Sequence, residues 1–239
     1  NNVTCFGLNN GSFTASASGG AGAPYTYTLS SPFQVNGTGQ FSGSPAGNYL
    51  VSVRDASNCV TTTTVNITEP TAVTITPSSI PANCFATATG TVSVSASGGV
   101  GPYQYSLNGG AFQASNTYPN QGAAIYNLTV RDANLCTATQ TVQVTQPTAL
   151  AISVSSQSAN CTAANGVAST TVSGGTPIYT YSWTGGGGAG ATASNLIAGN
   201  YTVTATDSRG CVISSPVNIG QILGGTASIT SSANITCNG

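Results

Sequence analysis

Hydrophobic and polar residues alternate along many short runs of this chain. Residues 91–96 read Thr-Val-Ser-Val-Ser-Ala, and residues 103–107 place two tyrosines and a leucine on one face. A period of two residues is typical of β-strands that bury one face. Val, Ile, Thr and Tyr dominate these runs, whereas Gly, Pro, Asn and Ser separate them. The pattern therefore predicts short strands joined by turns, and no run shows the 3.6-residue period of a capped helix.

The strand pattern repeats along the chain in phase with its cysteines. Cys5, Cys84, Cys161 and Cys237 follow one another at intervals of 79, 77 and 76 residues. A second cysteine follows each of the first three by 54, 52 and 50 residues, and these second cysteines are Cys59, Cys136 and Cys211. About seven short strands in a repeat of roughly 77 residues predict an all-β fold of tandem immunoglobulin-like or fibronectin-like β-sandwiches.

Two prolines suggest where the repeats end. Pro70 and Pro147 each follow a strand-like run, and proline interrupts strand pairing. The predicted domains are therefore residues 1–70, 71–147 and 148–222, with residues 223–239 as the start of a fourth repeat. Residues 234–239 nearly copy residues 2–7, which indicates a segment of a longer array. No flexible linker separates the repeats, so we expect a stiff array.

The cysteines predict one disulfide in each repeat. A domain of this size buries only about 60% of its chain surface, so a cross-link between its two ends would stabilise it by roughly 4 kcal/mol. The predicted bonds are Cys5–Cys59, Cys84–Cys136 and Cys161–Cys211, with Cys237 left for a partner beyond these residues. Zinc binding is disfavoured because the chain has neither a C-x-x-C motif nor a histidine. Disulfides imply an oxidising compartment and hence an extracellular location.

Charge and composition exclude several functions. Only 3% of residues are charged, the net charge is −1, and Lys, His and Met are absent. Such a chain has no electrostatic footprint for nucleic acid, and without an 18-residue apolar stretch it is not expected to insert directly into a membrane. The common general bases and Schiff-base nucleophiles are missing. We therefore expect no enzyme, no catalytic residue and no cofactor.

One aspartate stands four residues before each second cysteine: Asp55, Asp132 and Asp207. Calcium usually needs six to eight oxygen ligands, several of them from carboxylates. One carboxylate per repeat is a poor calcium site, so the sequence predicts no metal. An Asx-type hydrogen bond that caps the turn is the favoured interpretation.

Aromatic residues recur at fixed positions and could either line a ligand groove or pack in the core. One tyrosine stands ten residues before each second cysteine: Tyr49, Tyr126 and Tyr201. Core packing is favoured, with the hydroxyl bonded near a strand corner. Trp183 could be a sugar-stacking platform, but it shares its repeat position with Leu29 and Leu107, which favours the core.

The chain is also a candidate glycoprotein. Asn-x-Ser/Thr sequons occur at Asn2, Asn10, Asn36, Asn66, Asn127, Asn200 and Asn234. In a chain so rich in Asn and Thr, many sequons arise by chance. The density of Ser and Thr is also compatible with O-glycans.

The ordered motifs resemble a known family. Each repeat carries Cys, Ser-Gly-Gly, Tyr-x-Tyr-x-Leu/Trp, a Tyr strand ending in Asp, and a second Cys, and the first two close with Thr-Glu/Gln-Pro. This set resembles the SprB repeat of very large surface adhesins in gliding Bacteroidetes. The second repeat reads Ala123-Ala124-Ile125-Tyr126 where the family pattern has Ala-Gly-Asn-Tyr, and the third carries Ile178 between Pro177 and Tyr179. The resemblance implies secretion across the outer membrane, display as a filament, and a role in attachment or gliding.

Two functions follow as expectations. The first is a non-enzymatic structural segment of an extracellular filament or giant cell-surface adhesin, with neighbouring repeats or fibre subunits as partners. The alternative is an array of carbohydrate-binding modules with surface glycans as ligands. The alternative requires exposed aromatic side chains at matching positions of every repeat.

Overall fold

The computed structural model describes residues 1–161 and 163–231, and β-strands dominate it. The first predicted repeat holds β1 (Gly11–Thr14), β2 (Thr26–Ser30), β3 (Phe33–Asn36), β4 (Gln40–Ser44), β5 (Gly47–Arg54) and β6 (Val60–Ile67). The second holds β7 (Thr74–Ile80), β8 (Gly90–Ser97), β9 (Gln104–Leu107), β10 (Thr117–Gln121), β11 (Ala124–Arg131) and β12 (Thr137–Val144).

The third repeat has the same strands as the second, with two short additions. It holds β13 (Ala151–Gln157), β14 (Ala159–Asn160), β15 (Gly166–Ser173), β16 (Thr180–Trp183), β17 (Thr192–Leu196), β18 (Gly199–Thr206), β19 (Val212–Ile219) and β20 (Gln221–Ile222). A short 3-10 turn covers Thr184–Gly186. No helix within the described ranges is long and apolar enough to cross a membrane.

The chain divides into two compact units. The first unit contains Asn1–Ile80 and Gly90–Val144, and the second contains Pro81–Thr89 and the described residues from Thr145 onward. The segment Pro81–Thr89 connects β7 to β8 in the sequence of the second repeat, but it belongs to the second unit.

The first unit holds two sandwiches. In one, β1 pairs with β4, and a four-stranded antiparallel sheet has the order β3-β2-β5-β6. In the other, a sheet β7-β8-β10 accompanies a sheet β9-β11-β12. The second sandwich thus puts its first, second and fourth strands in one sheet and its third, fifth and sixth in the other. That split matches the two sheets of an immunoglobulin-like sandwich without its edge strand D.

The second unit repeats this arrangement with sheets β13-β15-β17 and β16-β18-β19. The two-residue strands β14 and β20 pair in parallel beside them. Alternation places the core residues as the sequence predicts, since every second residue of β11 from Tyr126 onward (Tyr126, Leu128 and Val130) is buried. The prediction of an all-β, immunoglobulin-like fold is confirmed.

The predicted domain boundaries fall between strands. Pro70 lies between β6 and β7, and Pro147 lies between β12 and β13. Of the predicted fourth repeat, residues 223–231 form no strand, and residues 232–239, which include Cys237 and Asn234, lie outside the described residues.

Candidate functional site: the cysteine junctions

Two disulfides join cysteines of consecutive repeats. Cys5 is bonded to Cys136 and Cys84 to Cys211, across sequence separations of 131 and 127 residues. Both pairs have a Cα–Cα distance of 5.7 Å. The prediction of one disulfide inside each repeat was therefore wrong, and this correction covers the expected pairs Cys5–Cys59, Cys84–Cys136 and Cys161–Cys211.

The predicted pairs fail because the two cysteines of a repeat lie at opposite ends of its last long strand. Cys59 directly precedes β6, whereas Val3, two residues before Cys5, donates its N–H to the Thr68 carbonyl just after that strand. Eight residues at about 3.3 Å each span roughly 25 Å, and a disulfide needs Cα atoms within about 7 Å. In the third repeat Cys211 precedes β19, while the Cys161 N–H donates to Ile222 beyond its end.

The first cysteine of each repeat lies on what we call the cysteine loop, residues 3–10 and 82–89 in the first two repeats. The residue two before the cysteine is buried and donates its N–H to a carbonyl just past the last long strand; the donors are Val3, Ala82 and Ala159. The residue directly before the cysteine donates its N–H to a side-chain oxygen farther along the loop. The donor–acceptor pairs are Thr4 to Asn10 (3.1 Å), Asn83 to Thr89 (2.8 Å) and Asn160 to Asn165 (2.8 Å).

The closing Thr-Glu/Gln-Pro motif holds the same loop from the other side. The Gly7 N–H donates to Oε2 of Glu69 at 2.6 Å, and the Ala86 N–H donates to Oε1 of Gln146 at 2.8 Å. Sequence reasoning used this motif only as a boundary. Glu69 and Gln146 both carry a side-chain oxygen at the end of two methylene groups, and this shared feature was the sequence signal for a structural role.

The second cysteine lies on what we call the Asp turn, residues 55–59, 132–136 and 207–211. Oδ1 of each aspartate accepts the cysteine N–H at 2.9 Å, and the aspartate N–H donates to the cysteine carbonyl at 2.9 to 3.0 Å. The other carboxylate oxygen accepts an N–H from the Ser-Gly-Gly loop or the residues after it; these donors are Ala21, Val100 and Thr176. The predicted Asx-type capping is therefore confirmed.

Electrostatics follow from these hydrogen bonds. Donation by backbone N–H groups, first that of Ala21, holds the pKa of the Asp55 carboxyl below its usual value. Donation by the Thr176 N–H lowers the pKa of Asp207 in the same way, although burial opposes it. The ionised carboxylates therefore favour the folded turns.

The second glycine of each Ser-Gly-Gly motif is required by the Asp turn. Gly20, Gly99 and Gly175 have φ of +60°, +60° and +59°, a region that favours glycine. A Cβ at these positions would stand 2.5, 2.5 and 2.6 Å from Oδ2 of the facing aspartate. The motif thus allows the backbone to approach the carboxylate that positions the second cysteine.

Each junction brings one cysteine loop against one Asp turn. In the first junction, Asn134 donates from Nδ2 to the Thr4 carbonyl at 2.8 Å, and Sγ of Cys136 lies 3.4 Å from the same oxygen. In the second, Sγ of Cys211 lies 3.4 Å from the carbonyl oxygen of Asn83. In both junctions, Sγ of the second cysteine therefore lies 3.4 Å from the carbonyl oxygen of the residue directly before the first cysteine.

A cleft of about 450 Å³ borders the second junction. Cys84, Phe85 and Thr87 of the cysteine loop line one side of it. The opposite side is formed by residues of the third repeat, namely Thr148, Ala149, Leu150, Gly175, Gly210, Cys211, Val212 and Ile213.

The recurrent aromatic residues lie in the cores. Tyr49, Tyr126 and Tyr201 are buried, and their hydroxyls donate to carbonyls four residues earlier at 2.6, 2.9 and 3.1 Å. Trp183 is 6% exposed and donates from Nε1 to the Gly190 carbonyl at 2.9 Å. The core assignment of these residues is confirmed, so they offer no stacking surface to a sugar.

The candidate glycosylation sites differ in how accessible their amides are. Asn10 and Asn36 use their Nδ2 atoms to donate to Thr4 and Gln40 within their own loops. Asn66 is exposed on a strand and donates from Nδ2 to Oδ1 of Asn48 at 2.6 Å. Asn2 is exposed near the first cysteine loop, while Asn127 and Asn200 are exposed on strands. Glycosylation stays a prediction at all of these positions.

The sheets and junctions define the class of protein: a tandem array of immunoglobulin-like repeats cross-linked from one repeat to the next. In sequence comparison, the SprB repeat model matches three segments of the chain, residues 1–32, 73–112 and 153–188. These matches agree with the resemblance that the motifs predicted. No curated protein matches it in sequence.

Solved structures resemble the chain with low sequence identity. The N-terminal eight Ig domains of Down Syndrome Cell Adhesion Molecule isoform 1.30.30 share 13% identity over 84% of this chain and 33% of that chain, with a TM-score of 0.38. Domains 1–6 of the surface layer protein SbsC share 14% identity over 86% of this chain and 36% of that chain, with a TM-score of 0.33. This chain spans about a third of each of these two structures.

Proposed function

We propose that this chain is a non-enzymatic, load-bearing segment of an extracellular filament or giant cell-surface adhesin, and that its partners are neighbouring SprB repeats. The observation that carries the proposal is the pairing of both disulfides, because each one ties a repeat to the repeat that follows it. Such a bond limits how far a chain can extend under tension. The carbohydrate-binding alternative has no comparable support, because the aromatic residues considered for it are buried.

The covalent connectivity makes the proposal quantitative. Along the backbone, Cys5 and Cys211 are 206 residues apart. Through both disulfides the shortest path contains only the 52-residue stretch from Cys84 to Cys136. At about 3.6 Å per extended residue, the two disulfides therefore shorten the fully extended distance between these two cysteines by roughly 550 Å.

Single-molecule pulling on the chain from its two ends tests this function. We expect the oxidised chain to extend about 550 Å less than the same chain after reduction of its disulfides. Equal extension in the two states would contradict a load-bearing role for the junctions. Immunogold labelling of thin sections of cells that produce the protein tests its location, and label confined to the cell interior would contradict the proposal.

A further inference from the structure

The first repeat contains a complete Asp turn whose cysteine forms no disulfide within the described residues. Cys59 is exposed and is not part of a disulfide. Its counterparts Cys136 and Cys211 are each bonded to a cysteine loop.

The local geometry at Cys59 is that of the two occupied turns. Oδ1 of Asp55 accepts the N–H groups of Ser57 and Cys59 at 2.9 Å each, and Oδ2 accepts the Ala21 N–H at 2.9 Å. The corresponding bonds around Asp132 and Asp207 are 2.8 to 2.9 Å long. The turn is therefore formed without the loop that its counterparts hold.

The surface beside Cys59 also matches the occupied surface of the third repeat. A cleft of about 320 Å³, here called the Cys59 cleft, is lined by residues that include Gly20, Asp55, Cys59, Val60 and Thr61. Four of these positions correspond to residues of the cleft at the second junction: Gly20 to Gly175, Cys59 to Cys211, Val60 to Val212 and Thr61 to Ile213. Val60 and Val212 are also similarly exposed, at 56% and 59%.

We propose that the Cys59 cleft is the docking site for the cysteine loop of a further SprB repeat, which closes a third junction through a disulfide to Cys59. The occupant is a segment of the type seen at residues 82–89, with Cys followed by an exposed aromatic residue such as Phe85 or Phe6. This inference rests on the proposed function as an array segment, and it names the partner surface of that array.

The bond forms by thiol–disulfide exchange with a small-molecule or protein disulfide as the oxidant. The incoming cysteine first carries a mixed disulfide with a small thiol. The Cys59 thiolate attacks the incoming cysteine's sulfur, a new S–S bond forms, and the small thiolate leaves and takes up a proton from water. The proton lost from Cys59 goes to solvent, so no further oxidant is required in this step.

A peptide with the sequence of residues 80–90 tests the proposal on the intact chain. Its cysteine is prepared as a mixed disulfide with 5-thio-2-nitrobenzoate, whose release on exchange is followed by absorbance. A scrambled peptide of the same composition, prepared identically, measures reaction without docking. We expect exchange with the matched peptide to be roughly tenfold faster, because docking raises the effective concentration of the reacting sulfur, and Cys59→Ser to abolish this faster phase.

Matched variants separate docking from thiol reactivity. Val60→Asp places a charge on the cleft and should bring the matched peptide to the rate of the scrambled one. Val35→Asp changes a similarly exposed valine, at 51%, on β3 outside the cleft and should leave the ratio of rates unchanged. Equal rates for both peptides, or a faster phase that survives Cys59→Ser, would overturn the inference. The pulling result would stand in either case, since it depends on the bonds already formed.

Discussion

Cys136 is bonded to Cys5, which stands 131 residues before it, although Cys84 of its own repeat is only 52 residues away. Because Cys84 lies between Cys5 and Cys136, the two closed loops overlap and share residues 84–136. Residues 84–136, most of the second repeat, therefore lie within both closed loops. A disulfide inside each repeat would stabilise three separate domains, whereas this pairing couples the unfolding of each repeat to that of its neighbour.

The first prediction concerns the cost of losing one junction. We expect the double variant Cys5→Ser with Cys136→Ser to lower the free energy of unfolding by up to about 5 kcal/mol, the chain-entropy value for so long a loop. Denaturant unfolding of both proteins at equal concentration measures the difference. Mass spectrometry of a non-reduced digest should find Cys5 linked to Cys136 in the parent chain.

Cys59→Ser is the control for this experiment. Cys59 is exposed and forms no disulfide among the described residues, so its replacement should change the free energy of unfolding by less than about 0.5 kcal/mol. A large loss of unfolding free energy for Cys59→Ser, together with no loss for the double variant, would instead support disulfides within each repeat.

The second prediction concerns acid. The pKa values of Asp55 and Asp207 are lower in the folded chain than their usual value. Their contribution to stability is therefore fully present above the unfolded carboxyl pKa of about 3.9, and it is lost as the pH falls through the folded pKa values. We expect the denaturant concentration at the midpoint of unfolding to decrease as the pH drops below about 4.

The chain has only four acidic residues, so the origin of this acid loss can be assigned. Asp55→Asn with Asp207→Asn should flatten the pH dependence, because neither amide titrates. An unchanged slope in the double asparagine variant would show that the acid sensitivity arises elsewhere.

The third prediction concerns the motif that closes the repeat. Glu69→Ala removes the acceptor of the Gly7 N–H and should destabilise the first cysteine loop by about 1 kcal/mol. Glu69→Gln should be tolerated, because Gln146 performs the same role for Ala86 in the second repeat. The rate at which a small thiol reduces Cys5–Cys136 reports loop opening, and it should rise for Glu69→Ala alone. Equal rates in both variants would mean that this hydrogen bond does not hold the loop.

The strands and cores could be predicted from the sequence, because alternation shows directly which side chains face inward. Tyr126, Leu128 and Val130 are every second residue of one run, and all three are buried. The position of Trp183 was predictable for a similar reason, since leucines occupy its place in the other repeats.

The disulfide partners could not be predicted in this way. The spacing from Cys5 to Cys136 is as regular as that from Cys5 to Cys59, so periodicity favours neither pairing. The choice depends on which end of the sandwich each cysteine occupies. That in turn depends on hydrogen bonds such as Val3 to Thr68, which join residues far apart in sequence. The roles of Glu69 and Gln146 were missed because they depend on the same long-range contacts.

The fourth prediction tests why Ser-Gly-Gly recurs. Gly99 has a φ of +60°, and a Cβ there would stand 2.5 Å from Oδ2 of Asp132 and 2.6 Å from Cγ2 of Val73. Gly99→Ala should therefore lower the free energy of unfolding by about 2 kcal/mol, part of it from the left-handed backbone and the rest from displacing the carboxylate. Because that carboxylate accepts the Cys136 N–H, the variant should also speed reduction of Cys5–Cys136 by a small thiol. Gly122→Ala is the matched control, since it has nothing within 4 Å of its Cβ position and no positive φ, and it should leave both measurements unchanged. If Gly99→Ala behaved like Gly122→Ala, close approach of the backbone to Asp132 would not be the reason for the motif.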